Sequence, residues 1–574
     1  MTTSPPSWSY CGTGATQEDP VGCRGIQLGS DGTCLSHMSS GDQQSYLNSI
    51  TPGSDIDLSG TKITGDFFSQ LLTKLREAPE QPPKFGTAIF NESILVDDVR
   101  MRGAIFSKRC SFKSAHFHGE GDFASARFSA DADFDGATFA SVASFFDATF
   151  EGKSLFTDVR FHDVARFTAS KHYELSLMRS EFKEHAVFTQ VRCSTLISFL
   201  SCIFNKNANL GAIVCLALIL NEAEFRSDAR IDVAAKILSC RRTRWDIPTV
   251  LRLRYAQVYL TEAVLSQPLA IVAHPAPFIS YDFPVDEDIS TMDDPSVSVS
   301  SMEGTDASFL TFSDVDLSDC TFAGAFNLDQ IHLEGNCTFR RAPQGWRQVG
   351  PFPYRWSSRR VIEEERRWRS LEAHSSSFRD GWGESPESHD QVLSLARLTE
   401  IYRQLRKCRE DAKDEPGAAD FYYGEMEMRR HDRSLPLGES ILLTLYWAFS
   451  GYGLRALRAL SWLLAAMATT IILMMGLGIP DQTPKQEIQR VTSGNTVKTV
   501  IDKPDPELTL PIPSRFTSTR FEKSVRVVLN SVVFRSSDQD LTTWGTYTEM
   551  VSRFSEPILL GLAALAIRGR IKRG

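Results

Sequence analysis

The chain carries no excess of positive charge: 62 Lys and Arg stand against 71 Asp and Glu, a net −9. A general nucleic-acid binder shows a basic stripe, so nucleic acid is not an expected partner. No GxxxxGK(S/T) loop, HExxH pair, GxSxG elbow or GxGxxG turn occurs. Nothing recognisable therefore cradles a phosphate, holds a catalytic metal or raises a nucleophile. The eleven histidines do not cluster, and an enzyme is not expected. The opening ten residues are polar and proline-containing, without the apolar core of a secretory signal. The eleven cysteines are scattered, so a reducing cytoplasm is expected rather than a disulfide framework.

Phenylalanine is abundant and periodic. Phe106, Phe112, Phe117, Phe123, Phe128, Phe134, Phe139, Phe145, Phe150, Phe156, Phe161 and Phe167 recur at alternating steps of five and six. Two residues before each stands a mostly small side chain, such as Ala104, Cys110, Ala115, Gly121 and Ala126. Neither a helix nor a flat strand has that period, whereas a solenoid does. Leu95 and Met101 extend the count upstream, and Phe182, Phe188, Phe199, Phe204, Leu210, Cys215, Leu220 and Phe225 extend it downstream after a slip at 171–179. A second block returns at Leu317, Phe322, Leu333 and Phe339. Residues 66–77, with Phe67, Leu71, Leu72 and Leu75 at helical spacing, predict a helix that covers the first coil.

These units resemble the pentapeptide-repeat family in its Phe-rich AxF form. The resemblance implies a right-handed quadrilateral parallel β-helix followed, here, by an α-helical neck and C-terminal transmembrane helices. Paired steps of five and six make a 22-residue coil, two longer than the family's plain twenty, with the extra residues expected to bulge at corners. Some members of that family mimic DNA through a strongly acidic surface. Acidic and basic residues nearly balance between 84 and 230, so that role is not expected.

Cys11, Cys23, Cys34 and His37 form a candidate metal set. Three thiolates and an imidazole suit a structural zinc, the one candidate cofactor. The first two cysteines lack a CxxC knuckle, and the spacing favours the alternative of unlinked cysteines in a flexible lead-in. The charged run at 359–370 reads as a helix with a solvated face. Further on, Leu395, Leu398, Ile401, Tyr402 and Leu405 predict a helix, Glu415-Pro416-Gly417 a turn, and Phe421, Tyr422 and Met426 a second helix. The pair resembles a single tetratricopeptide-like hairpin.

Residues 459–480 contain no charge and are long enough to cross a bilayer. Arg429, Arg430, Arg433, Arg455 and Arg458 precede this run, and Arg568, Arg570, Lys572 and Arg573 end the chain. Both clusters favour the cytoplasm, so a two-helix hairpin with 481–549 outside is expected. The alternative is one crossing and a second helix on the surface. The apolar stretch 525–534 predicts a short helix before the second span, the order found in two-helix ion channels, although no filter sequence follows it. Asn530, Ser531, Glu549 and Glu556 are the candidate pore-lining residues; for Glu556, pairing with Arg553 or a headgroup-level position is the simpler expectation. The stretches 414–431 (with Asp414 where the family has Asn), 446–459, 527–537 and 541–550 resemble actinobacterial pentapeptide-repeat membrane proteins, a family that transfers no activity.

The chain divides accordingly into a cysteine-containing segment (1–49), a capped solenoid (50–272), an acidic mobile insertion (273–304), a second repeat block (305–345), and a charged helix with linker (346–389). There follow a helical neck (390–435), an interfacial and a first transmembrane helix (436–480), an external loop (481–549), and a second transmembrane helix with a basic tail (550–574). The expected role is a plasma-membrane scaffold with its solenoid in the cytoplasm, contacting lipid, a protein partner and further copies of itself. The alternative is an oligomeric, ion-channel-like assembly gated by the solenoid.

Overall fold

The computed structural model describes residues 4–28, 31–280, 283–287, 294–349, 352–356, 358–372, 382, 392–481, 487–493, 496–502, 508–533 and 540–571. Two units divide it, Met1–Leu393 and Ser394–Gly574.

The first unit is a parallel β-solenoid of about 11 turns between residues 84 and 334, with a first, partial coil before it whose strands Ile56–Asp57 and Lys62–Ile63 pair onto the next. The first coils each have four strands of mostly two residues, and strands pair in parallel with their equivalents one coil later; further on, sides merge into strands of 12 and 11 residues, Ala208–Ile219 and Ala229–Ser239. On one face Ile94 pairs with His116, His116 with Thr138, and Thr138 with Arg160, a coil of 22 residues. The coil shortens to 21 between Arg160 and Glu181, and to 20 between Glu224, Arg244 and Val264.

The two step lengths have different corners. In five-residue steps the N–H of Ser93 donates to Phe90 O (3.2 Å), that of Ala104 to Met101 O (3.0 Å) and that of Ala126 to Phe123 O (3.1 Å). The residue before each donor is left-handed: Glu92 (φ 53°), Gly103 (φ 68°) and Ser125 (φ 56°). An i→i+3 bond with positive φ at the third residue is a type II turn. The six-residue steps 95–101 and 128–134 show no positive φ among the described residues. Their extra residue bends the chain more widely and bonds to the next coil, Asp98 Oδ1 accepting from Glu120 N (3.0 Å) and Asp131 Oδ1 from Lys153 N (2.9 Å).

Inside, the rings stack coil upon coil: Phe112 on Phe134 at 5.0 Å, Phe134 on Phe156 at 4.7 Å and Phe117 on Phe139 at 4.4 Å between centroids. Small residues at the paired inward positions leave room for rings without voids. The slip falls where His172 replaces a Phe, stacked 4.6 Å from Phe150. Here the strand pairing shifts register between Phe150 and Lys153. Ser154 and Ser170 hydroxyls lie 2.8 and 2.9 Å from the two His172 ring nitrogens, and burial pushes the imidazole down to about 3, so it stays neutral.

The two repeat blocks are one continuous solenoid. Gln257 pairs with Ser298 and Leu269 with Leu310, so 298–304, expected in the insertion, belongs to a coil. Within the insertion, Phe278 packs on Ala212, Val214 and Ala234. Glu287 pairs with Arg254 at 2.7 Å, both buried. The acidic composition of this segment thus finds basic partners on the solenoid.

Helices close the coils. α1 (Ser40–Ser49) and α2 (Gly65–Lys74) stand at the N-terminal end, and Phe67, Phe68, Leu71 and Leu72 of α2 are buried as the apolar spacing predicts. At the other end α3 (Glu363–Glu372) corrects the expectation of a solvated face: Glu363, Glu364, Glu365 and Arg369 are buried. Glu365 pairs with Arg359 and Arg369, and the Glu364 carboxylate accepts the N–H groups of Phe322 and Ala323.

The second unit is helical: α4 (Leu395–Asp411), α5 (Glu415–His431), α6 (Leu437–Ser450), α7 (Ala456–Leu473), α8 (Ser518–Val533) and α9 (Thr543–Ile571). Glu415-Pro416-Gly417 is the first turn of α5 and not the link. Asp414 caps it by accepting Gly417 N (3.0 Å), and proline is tolerated in a first turn because no intrahelical partner awaits its missing N–H. The link turns instead through left-handed Lys413 (φ 59°). α7 runs on as a π-helical turn to Gly478. α9 begins well before the expected 550 and passes through Pro557 without ending. Two stretches are long and apolar enough to cross a membrane, Ala456–Gly478 and Thr543–Arg568.

Candidate functional site

Near the N-terminus, two local structures bring four ligand-type side chains together. Cys11 and Cys23 lie on opposite arms of a short hairpin, closed by Cys11 N→Gly25 O (2.8 Å), Gly12 N→Cys23 O (2.8 Å) and Cys23 N→Thr13 O (3.0 Å). Cys34 and His37 flank one 3-10 turn, Leu35–His37. The hairpin, not closeness in sequence, brings Cys11 and Cys23 together. The four ligand atoms all lie within 4.8 Å of one another. His37 Nδ1 is 3.6 Å from Cys11 Sγ and 3.4 Å from Cys34 Sγ, and the Cys23 and Cys34 sulfurs are 3.5 Å apart. A tetrahedral zinc with Zn–S bonds of about 2.3 Å sets its sulfurs about 3.8 Å apart, close to these edges.

Burial opposes the Cys11 thiolate, but hydrogen bonds from Thr13 and Cys34 outweigh it and pull the thiol down to about 6. Burial, together with the neighbouring sulfurs, pushes Cys23 up to about 12. Cys34 and Cys11 thus add to the burial that raises Cys23, a repulsion that a cation would relieve.

In the second unit α7 and α9 pack antiparallel. Gly478, at the end of α7, meets Gly545 near the start of α9, and Thr470 Oγ1 lies about two to three turns deeper, donating to Glu556 Oε1 at 2.9 Å. Glu556 is fully buried. It lies midway along the apolar stretch Thr543–Arg568. Glu549 and Ser552 are also buried, on the α9 face that Glu556 shares, one helical turn apart. Arg553 pairs with Glu549 at 2.7 Å. Asn530 is half-buried on α8, and the side chain of Ser531 lies outside the described residues.

A Cβ on Gly545 would stand 2.5 Å from Gly478 O, whereas one on Gly561 meets nothing within 4 Å. Gly545→Ala should therefore destabilise the helix pair by about 1–3 kcal/mol, the usual cost of overpacking, while Gly561→Ala should be neutral. Thermal midpoints of the two variants in detergent check this; equal midpoints would refute the contact.

Sequence reasoning missed the cluster at the start of the helix pair. Trp447 lies between Arg430 (4.6 Å) and Arg458 (5.4 Å). Its Nε1 donates to Tyr423 OH (3.2 Å). Gly451, Tyr452 and Gly453 are all left-handed (φ 56°, 58° and 73°), which turns buried Tyr452 so that its hydroxyl donates to Glu427 Oε2 (3.0 Å). The only sequence signal is two glycines flanking a tyrosine.

An apolar groove of about 890 Å³ runs along α6, α7 and α9, lined by Phe449, Trp462, Trp544, Tyr547 and Phe554. No family model, curated protein or solved structure matches the chain.

Proposed function

We propose that this is a membrane-anchored pentapeptide-repeat protein whose solenoid is a cytoplasmic docking surface for a protein partner. One observation carries the reading: a rigid rod of regular coils shares a chain with an antiparallel pair of apolar helices. The family assignment draws support from four-stranded coils with an inward Phe and a small residue two before it, settling to twenty residues per turn at Glu224–Val264. Arginines precede α7 and follow the α9 span, so a hairpin with both ends in the cytoplasm satisfies each. Along one face the outward residues are His116, Thr138, Arg160, Glu181, Ile203, Glu224, Arg244 and Val264, one rung about every 4.8 Å. Mixed charge with interleaved apolar side chains suits a protein surface better than a polyanion.

Reporter fusions at Thr496 and at Gly574 test the anchor. They should report opposite sides of the membrane, with Gly574 cytoplasmic; the same side for both would defeat the hairpin. Affinity capture from solubilised membranes then identifies the partner. The alternative, an oligomeric ion-channel-like assembly gated by the solenoid, is favoured by the buried Thr470–Glu556 pair and by the apolar groove, which a neighbouring copy could fill. A discrete tetramer or pentamer that conducts in a planar bilayer supports that alternative. A non-conducting monomer or dimer supports the anchor.

A further inference from the structure

The open end of a solenoid exposes backbone acceptors that pair with nothing in their own coil. Here the N-terminal segment takes two of them. Ile26 N donates to Ser59 O (2.8 Å) and Ser36 Oγ to Lys62 O (2.8 Å). Ile26 follows the hairpin that carries Cys11 and Cys23, and Ser36 lies within the turn between Cys34 and His37. The four ligand-type side chains thus join the two loops that cover the first coil. The packing is tight at this join: a Cβ on Gly25 would stand 2.7 Å from Cys34 Cβ. One further tie crosses to the second coil, Arg24 with Glu92 at 2.7 Å.

We propose that Cys11, Cys23, Cys34 and His37 bind one Zn²⁺ ion, and that this ion latches the N-terminal cap onto the solenoid. The proposal is independent of what the solenoid binds. Three sulfurs and an imidazole nitrogen fill a tetrahedral shell, so the ion has no position for substrate and its role is structural. On binding, the three thiols release their protons to solvent and the imidazole coordinates through Nδ1, leaving a centre of net charge −1. The N–H groups that donate to Cys11, from Thr13 and Cys34, offset that charge as outer-sphere donors do. A disulfide between Cys23 and Cys34 is the competing chemistry, since their sulfurs are 3.5 Å apart.

The test uses the full chain purified in detergent under reducing conditions. Native mass spectrometry and elemental analysis should find one zinc per chain, or one bound on titrating stripped protein with Zn²⁺ against a chromophoric chelator. Substituted Co²⁺ should give the visible bands and thiolate-to-metal charge transfer of a tetrahedral S₃N site. Cys11→Ser and Cys23→Ser should lower zinc content to background. Cys34 is buried and its replacement endangers folding, so exposed His37→Ala is the second variant; it should keep the solenoid intact while weakening zinc and altering the cobalt spectrum. Chelation should expose Arg24 to trypsin, and added zinc should protect it again, with the coils beyond Phe106 resistant throughout. Protein that takes up no zinc, an intact mass short of two hydrogens, or trypsin protection indifferent to chelator would overturn the proposal.

Discussion

Replacing Phe134 by alanine is expected to cost about 3–5 kcal/mol, the range for large aromatic residues removed from a core that cannot close up. Phe134 is completely buried. It stacks on Phe112 (5.0 Å) and Phe156 (4.7 Å), and meets Phe123 (5.5 Å) and Phe145 (5.4 Å) edge-on. With Phe128 and Phe139 at 6.3 and 6.5 Å, six rings would lose a partner at once. The surrounding backbone turns every five or six residues through hydrogen-bonded corners, so it has little freedom to collapse into the void. Thr138→Ala, on the outward side of the same coil, should change stability by no more than about 0.5 kcal/mol. Solenoids unfold as coupled neighbours and not always as one unit. Hydrogen exchange is therefore the right measurement, and the loss of protection should centre on the coils containing Phe112 and Phe156. A penalty below about 1 kcal/mol would mean that the stacked column is not what holds the rod.

Phe134 also shows what the sequence makes legible. The inward positions are fixed by one repeating pair, a ring and a small residue two before it. That pair was enough to predict the solenoid and its slip near His172, while apolar residues at helical spacing predicted the helix that covers the first coil. Hydropathy alone placed α7, because a run without charge has few soluble alternatives. The remaining features depend on contacts between distant residues. Cys11 and Cys23 meet only because backbone bonds zip their hairpin. A second span was expected from 550, but its start at Thr543 and the partners of Arg553 and Glu556 were not legible. In the fold Thr470 answers Glu556, Glu549 answers Arg553, and the helix continues through Pro557. The buried acids of α3 were misread for a related reason. A run of alternating charges usually faces water, and only the fold reveals that Glu364 receives the N–H groups of Phe322 and Ala323 while Glu363 and Glu365 receive arginines.

That last arrangement predicts a pH-dependent C-terminal cap. Burial pushes the Glu364 carboxyl up to about 7, against the hydrogen bonds from Phe322 and Ala323 and the charge of Arg367, which act to lower it. Its Oε2 has no hydrogen-bond partner among the described residues, so the charged form is only half satisfied. The folded protein therefore holds this proton more tightly than the unfolded chain, whose carboxyl titrates near 4.3–4.5. Stability from this group is full below about pH 4.5 and falls as pH rises toward 7. The total change is about 3 kcal/mol, at roughly 1.4 kcal/mol for each pH unit between the two pKa values. Glu364→Gln keeps an oxygen for the Phe322 and Ala323 N–H groups but cannot ionise. Its unfolding midpoint should vary less between pH 5 and pH 8 than that of the unmodified protein, with the difference cancelling contributions from every other titrating group. Glu364→Leu removes the acceptor altogether and should be destabilised at both pH values, by about 1–3 kcal/mol for each N–H left unpaired. If the glutamine variant retains the same dependence on pH, Glu364 is not the titrating group, and the solenoid's closing helix is held by its ion pairs alone.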